Sequence, residues 1–162
     1  MGPFHKDEMD VLIVLGSISD RATGERALQL LKEFGLNAEL VIASAHRTPQ
    51  RLRQLVEGSD AAVFIAMAGM SAALPGTVAS LTLKPVIGVP LSGKLNLDSI
   101  LSVTQMPPGV PVAAVSLDGA ENAALLAIEI LALSDSELGK RLKAYRDRRA
   151  QAVAQDSKKI GG

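Results

Sequence analysis

The sequence predicts a three-layer α/β sandwich on a five-stranded parallel sheet, and three observations predict it. Five apolar runs rich in β-branched residues recur along the chain, segments of helical period separate them, and the runs are continuous rather than alternating. Continuous apolar strands are typical of parallel sheets covered on both faces. Regular alternation of strand and helix, with right-handed crossovers, puts helices on both sides of such a sheet. A length of 162 residues suits one domain of this kind. The expected organisation is a charged N-terminal tail over 1–10, the domain over 11–154 and a disordered tail over 155–162.

The first strand is Val11–Leu15 and the first helix Asp20–Phe34, where Ala27, Leu28, Leu31 and Phe34 share a face and Gly35 ends the helix. The second strand is Glu39–Ala43, followed by a helix with Thr48 as N-cap and Pro49 at its first position. The third strand, Ala61–Met67, leads to a helix over Leu74–Leu81, and the fourth, Pro85–Val89, to a short helix over Leu97–Val103. The fifth is Pro111–Leu117. Glu121–Leu133 follows as a helix apolar nearly all round, which marks burial on several sides. Ser134-Asp135-Ser136-Glu137 has capping-box spacing, with Leu133 and Leu138 set for a hydrophobic staple. It opens a last helix reaching about Val153, with Leu138, Leu142 and Tyr145 on one side.

Composition narrows the function classes. Cysteine is absent, which removes thiolate nucleophiles, disulfides and Cys-based zinc or iron–sulfur sites, and fits a reducing compartment. Seventeen Lys and Arg balance seventeen Asp and Glu, so no net charge draws a polyanion. Phe4, Phe34, Phe64 and Tyr145 are too few aromatics for base-stacking platforms or flavin flanks. The basic residues of the last helix, from Lys140 to Arg149, share it with Asp135, Glu137 and Asp147 and read as a solvated face. Nucleic acid is not an expected partner.

The charges are unevenly spread, since residues 61–117 hold only Lys84, Lys94 and Asp98. Ala61–Leu83 runs 23 residues without a charge, the length of a membrane span. Gly69, Ser71, Pro75, Gly76 and Thr77 interrupt it, so a membrane span is not expected. Residues 1–10 lack the apolar core of a signal peptide, and the expected location is cytoplasmic. A middle third this poor in charge exceeds what a lone domain hides, which predicts cover by further subunits.

In an open α/β sheet, ligands bind at the carboxyl edge of the strands. Here the edge loops are Gly16–Asp20, Ser44–Thr48, Ala68–Gly76, Pro90–Asn96 and Asp118–Asn122, and the chemistry is expected from them. Gly16-Ser17-Ile18-Ser19-Asp20 offers backbone donors and a helix N-terminus to an anion, without the Gly-Lys-Ser/Thr ending of a Walker loop. Ser19 reads equally well as a plain helix cap. Asp20 repels phosphate, so a ligand reaching it presents neutral hydroxyls such as those of a ribose.

Ser44-Ala45-His46-Arg47-Thr48-Pro49 holds the one histidine outside the N-terminal tail, where His5 lies. A lone histidine is more often structural than catalytic, but this one stands in an edge loop beside Arg47, whose fork suits a phosphate. Imidazole titrates near neutrality and fits proton transfer to or from carbon or a carboxylate. One histidine with no cysteine and no neighbouring carboxylate pair argues against a metal site. Ala68–Gly76 consists of small residues that let backbone approach a ligand, or that simply pack a tight turn.

Together, Gly16-Ser17-x-Ser19-Asp20, Ser44-Ala45-His46-Arg47-Thr48-Pro49, Ala68-Gly69 with Leu74-Pro75-Gly76, Pro85–Pro90 and Gln105-Met106-Pro107 closely resemble the N5-carboxyaminoimidazole ribonucleotide mutase family of purine biosynthesis. This is the catalytic-subunit type of phosphoribosylaminoimidazole carboxylase, and the resemblance spans about residues 10–150. It implies a flavodoxin-like doubly wound subunit without metal or cofactor, in a homo-octamer whose C-terminal helices pack on neighbouring subunits. It implies proton transfer by His46, substrate binding by Ser17, Asp20 and Arg47, and a pocket lined by Ser44, Gly69 and Leu74. The implied reaction moves a carboxylate from the exocyclic nitrogen of a ribonucleotide to carbon 4 of its imidazole ring.

One position departs from the pattern: Ala73 stands before Leu74-Pro75-Gly76, where most such mutases carry histidine. This leaves open a carboxylase that takes free carbon dioxide and aminoimidazole ribonucleotide. The Gly-Met-x-x-Ala-Leu-Pro stretch also resembles carboxylases of nickel-pincer-nucleotide synthesis, which do not share the intact Ser-Ala-His-Arg-Thr-Pro motif. Outside enzymes, the alternatives are a phosphoacceptor receiver and a flavin carrier. The receiver needs acidic residues where Leu15-Gly16 and Met67-Ala68 stand, and the carrier needs aromatic flanks.

Overall fold

The computed structural model describes residues 9–160; the first eight residues of the expected N-terminal tail, His5 among them, and Gly161 and Gly162 of the expected C-terminal tail lie outside the described residues. Five strands form one parallel sheet: β1 (Val11–Leu15), β2 (Ala38–Ile42), β3 (Val63–Ala68), β4 (Val86–Pro90) and β5 (Ala113–Ala114). The spatial order is β2-β1-β3-β4-β5, the flavodoxin-like doubly wound order. β1 pairs β2 from Val11↔Ala38 and β3 from Val11↔Val63. Six helices connect or follow the strands: α1 (Arg21–Glu33), α2 (Pro49–Glu57), α3 (Leu74–Ser80), α4 (Asn96–Thr104), α5 (Ala120–Ala132) and α6 (Ser136–Ile160).

Because successive strand side chains point to opposite faces, the three central strands divide their residues between two cores. Val11, Ile13, Leu15, Val63, Ile65, Met67, Ile87 and Val89 pack with α1 and α5. Leu12, Val14, Phe64, Ala66 and Val86 pack with Leu52 of α2, Val78 of α3 and Val103 of α4. Each buried aliphatic side chain contributes about 1.5–3 kcal/mol. Exposed pairs such as Arg21–Glu25 and Arg53–Glu57 contribute about 0–1 kcal/mol each. The sheet and its two cores therefore set the fold, and the surface charges adjust it. Among the described residues no helix is long and apolar enough to cross a membrane.

The edges depart from the sequence expectation. β1, β3 and β4 are buried throughout, but β2 is only partly covered and both residues of β5 are exposed. Each edge strand has one sheet neighbour. Pro111 has no N–H to donate to a ladder, and the strand expected over Pro111–Leu117 shrinks to two residues paired with Ile87 and Gly88. On α1 the buried face is Gly24, Ala27, Leu30 and Leu31, with Leu28 turned to partial exposure.

At the head of α6 the expected capping box and staple are not formed. Asp135 caps the helix, its Oδ1 accepting from the Glu137 and Leu138 amides at 2.9 and 3.0 Å. The Ser134 hydroxyl instead donates back to the Leu131 carbonyl, and Leu133 is 90% exposed while Leu138 is buried. The segment from Gln155, expected to be a disordered tail, is helical to Ile160. Its Ala, Gln and Lys residues favour helix, and no glycine or proline intervenes before Gly161.

Gly88 sits at the tightest point of the second core. A Cβ there would lie 2.5 Å from Val103 Cγ1, 2.8 Å from Val112 Cγ1 and 3.1 Å from Pro75 Cβ. Valine and proline carbons so close to the backbone have little freedom to withdraw. Gly88→Ala is expected to lower stability by about 1–3 kcal/mol, the usual effect of overpacking, read as a lower denaturant midpoint with an unchanged slope.

Candidate active site

The parallel pairing of β1 with both β2 and β3 determines where a crevice opens. The chain leaves β1 towards α1 on one face of the sheet and leaves β2 towards α2 on the other. Loops that diverge in this way leave a gap at the carboxyl edge. The gap is a cavity of about 350 Å³.

The first wall is the turn after β1. Ser17 caps the short 3-10 turn Ile18–Asp20, its hydroxyl accepting from the Ser19 amide at 3.4 Å. Ser19 does not cap α1; its hydroxyl donates to Asp20 Oδ1 at 3.0 Å. Asp20 is half-buried at the cavity wall.

The second wall is the turn after β2, and its two hydroxyl residues lock each other. The Ser44 amide donates to Thr48 Oγ1 at 2.9 Å, the Thr48 amide donates to the Ser44 carbonyl at 3.0 Å, and the Arg47 amide donates to Ser44 Oγ at 3.2 Å. Thr48 stands at the N-cap of α2 and Pro49 at the first helical position, both as expected, but the Thr48 side chain serves the turn and makes no capping bond. The turn holds His46 and Arg47 at the cavity, both exposed. Arg47 Nη2 donates to the Gly16 carbonyl at 3.0 Å, which ties the second wall to the first, and Nε donates to Ser44 Oγ at 3.5 Å. Nη1 is left without a partner among the described residues. No hydrogen bond engages the His46 ring among the described residues, so either ring nitrogen is free to meet a ligand.

The third wall follows β3. Gly69, Met70 and Ser71 line the cavity, and buried Leu74 closes it at the start of α3. Ala73, the position that departs from the family pattern, is exposed at the N-cap of α3 and is not among the cavity residues.

All seven residues singled out from the sequence, Ser17, Asp20, Ser44, His46, Arg47, Gly69 and Leu74, meet in this one cavity. The loops Pro90–Asn96 and Asp118–Asn122, also expected to supply chemistry, do not line it. The crevice lies between β1 and β3, and these loops follow strands farther along the sheet. Asp98 was not singled out for a role, although its carboxylate accepts from the Ser71 amide at 2.6 Å. Its isolation as one of three charges in 61–117 was the available signal.

With one arginine, one histidine, one aspartate and several hydroxyls at its wall, the cavity suits an anionic, hydroxyl-bearing ligand and a proton transfer. The family model described as AIR carboxylase matches residues 10–152. The N5-carboxyaminoimidazole ribonucleotide mutase of Methanocaldococcus jannaschii is 52% identical over 151 residues, covering 93% of this chain and 96% of its own. The mutase of Thermotoga maritima is 42% identical, covering 91% and 90% respectively. Among solved structures, Treponema denticola PurE superposes with a TM-score of 0.84 at 33% identity, over 92% of this chain and 96% of that one. The cavity at the switch point, the Ser-Ala-His-Arg-Thr-Pro turn in its wall and these likenesses agree, and the chain belongs to the AIR carboxylase family.

Proposed function

We propose that the protein is an N5-carboxyaminoimidazole ribonucleotide mutase. The observation that carries this reading is the convergence of Ser17, Asp20, His46 and Arg47 in one cavity, in a chain 52% identical to a protein of that name. Arg47 binds the substrate phosphate through the part of its fork that Gly16 and Ser44 leave free, and the Ser17 and Ser44 hydroxyls support it. Asp20 accepts from the ribose hydroxyls. In the reaction the N–carboxylate bond breaks, carbon dioxide is released within the cavity, and His46 supplies a proton that permits the cleavage. Carbon 4 of the ring then bonds to the carbon dioxide, and His46 takes up the proton that carbon 4 loses. Retention of carbon dioxide requires that the bound nucleotide and its surroundings shield the cavity from bulk water.

Ala73 in place of a histidine favours keeping the direct carboxylase as the second reading. Incubation with each nucleotide, with and without bicarbonate, separates the two. A mutase converts the N-carboxylated nucleotide to the carbon-carboxylated product without added bicarbonate. A carboxylase forms the same product from aminoimidazole ribonucleotide only when bicarbonate is supplied. No product in any arm overturns both.

Within this reading His46 moves the proton and Arg47 binds. His46→Asn is expected to slow single turnover by about 10²–10⁴-fold while nucleotide affinity stays near that of the unaltered protein. Arg47→Ala is expected to weaken binding by about 1.5–3 kcal/mol, measured by titration with the nucleotide. Near-normal turnover in His46→Asn overturns the proton-transfer role.

The active form is an octamer in the cytoplasm, with α6 packed on neighbouring subunits. Two features support the assembly. Every residue of α6 from Arg146 to Ile160 is exposed, Val153 and Ile160 included, and an unsupported stretch of that length is marginal as helix in water. Leu83, Leu95 and Leu97 are also exposed, at 106, 59 and 60%, in the charge-poor third. Light scattering at micromolar concentration is expected to give eight subunits, and a monomer contradicts it.

A further inference from the structure

Among the described residues only Ser71 and Asp118 adopt positive φ without being glycine, at 53° and 54°. The left-handed region is unfavourable for a residue with a Cβ, so something must hold each one there. At Ser71 the holding group is visible. The Ser71 amide donates to Asp98 Oδ2 at 2.6 Å, and the Ser71 carbonyl accepts from the Ala73 amide at 2.7 Å. Asp98 makes no ion pair among the described residues, and the only other charges of 61–117 are two lysines. In the stretch of the chain poorest in charge, its carboxylate is committed to a backbone N–H in another loop.

That loop is the third wall of the cavity, since Gly69, Met70 and Ser71 all line it. Asp98 itself does not. It stands in the first turn of α4, a helix anchored by buried Ser99 and Val103. The Ser99 hydroxyl donates to the Asn96 carbonyl at 2.9 Å, and the Asn96 side chain accepts from the Gly93 amide at 2.9 Å, so the start of α4 is itself braced. A fixed carboxylate on a braced helix is a suitable post for the tip of this loop, where Met70 and Ser71 are exposed between the buried Ala68 and Ala72.

We propose that Asp98 is a positioning residue for the cavity: its carboxylate holds the Ser71 amide, keeps the turn left-handed and sets the Gly69–Ser71 wall before the ligand arrives. The inference rests on the ribonucleotide reading of this cavity and adds a residue to it. A wall set in advance reduces the ordering cost of binding. The effect belongs in ground-state affinity more than in the proton transfer, which His46 performs from another wall. The competing explanation is that Asp98 only complements the dipole at the N-terminus of α4. That role would affect stability and nothing at Ser71.

The test compares the full-length protein with Asp98→Ala and Asp98→Asn, following Ser71 amide hydrogen exchange by NMR, melting temperature, and KM and kcat with the N-carboxylated ribonucleotide. Asp98→Ala is expected to speed exchange at Ser71 and raise KM, each by about tenfold, with kcat within about threefold. Asp98→Asn keeps an oxygen acceptor and is expected to recover most of both. A folded Asp98→Ala with unchanged Ser71 exchange and unchanged KM overturns the proposal and leaves the dipole role. If Asp98→Ala does not fold, Asp98→Ser decides, because its oxygen sits one bond too short to hold the Ser71 amide: faster exchange at Ser71 with KM raised in parallel supports the proposal, and no movement of either overturns it. If the unaltered protein turns over no ribonucleotide, the functional reading fails, and exchange at Ser71 alone still decides whether Asp98 holds the wall.

Discussion

The structure depends on one constraint, the pairing of β1 with both β2 and β3 in a parallel sheet. Parallel neighbours cannot be joined by a tight turn; each connection must cross over a face of the sheet. With β2 on one side of β1 and β3 on the other, the right-handed rule sends α1 and α2 to opposite faces. The loops that begin those crossovers must separate at the carboxyl edge. The cavity is the space they leave, and its position follows from strand order before any side chain is considered. Fully buried β1 and β3 give this edge a packed base from which the first turns project.

The side chains then divide the chemistry among three loops. Locking Ser44 against Thr48 fixes a short turn without a helix cap, which lets His46 and Arg47 stand at the cavity instead of folding back on the scaffold. The Arg47 link to the Gly16 carbonyl commits one arm of the fork to joining two walls and keeps the other for an anion. The third wall contributes backbone, the apolar side chains of Met70 and Leu74, and no charge. It is also the wall with the most demanding backbone, and the carboxylate that supports it comes from α4 rather than from the wall itself.

Much of this was legible in the sequence because it rests on period and on loop chemistry. The three central strands announce themselves as unbroken apolar runs, and their order of appearance with intervening helices gives the layers. The edges were less legible. A run such as Pro111–Leu117 has the composition of a strand, but its pairing depends on having a neighbour, and on the outer side the described residues supply none. The head of α6 failed for a different reason: Ser134 and Asp135 are both good caps, and composition does not say which one the chain places at the boundary. Site residues were legible where a motif concentrates unusual types in an edge loop, as around His46. Asp98 was not, because its partner is a backbone amide 27 residues earlier, which no local pattern displays.

The exposed parts of the molecule follow the same logic as the buried ones. Exposed apolar positions occur singly on most surfaces and mean little. Here Leu83, Leu95 and Leu97 fall in the stretch that also lacks charge, and α6 runs on to Ile160 beyond Tyr145, the last of its apolar side chains packed on the body. Near that point α6 is tied down by the Tyr145 ring against Phe34, 5.5 Å between centroids, by Arg141 on the Phe34 carbonyl, and by the pairing of Arg146 with Glu129. Past Arg146 the described residues of this chain offer the helix no packing partner. A sequence that keeps helix-favouring residues there, and keeps charge out of the middle third, is consistent with burial that a single copy does not supply. On that argument the proposed assembly completes the surface of the fold.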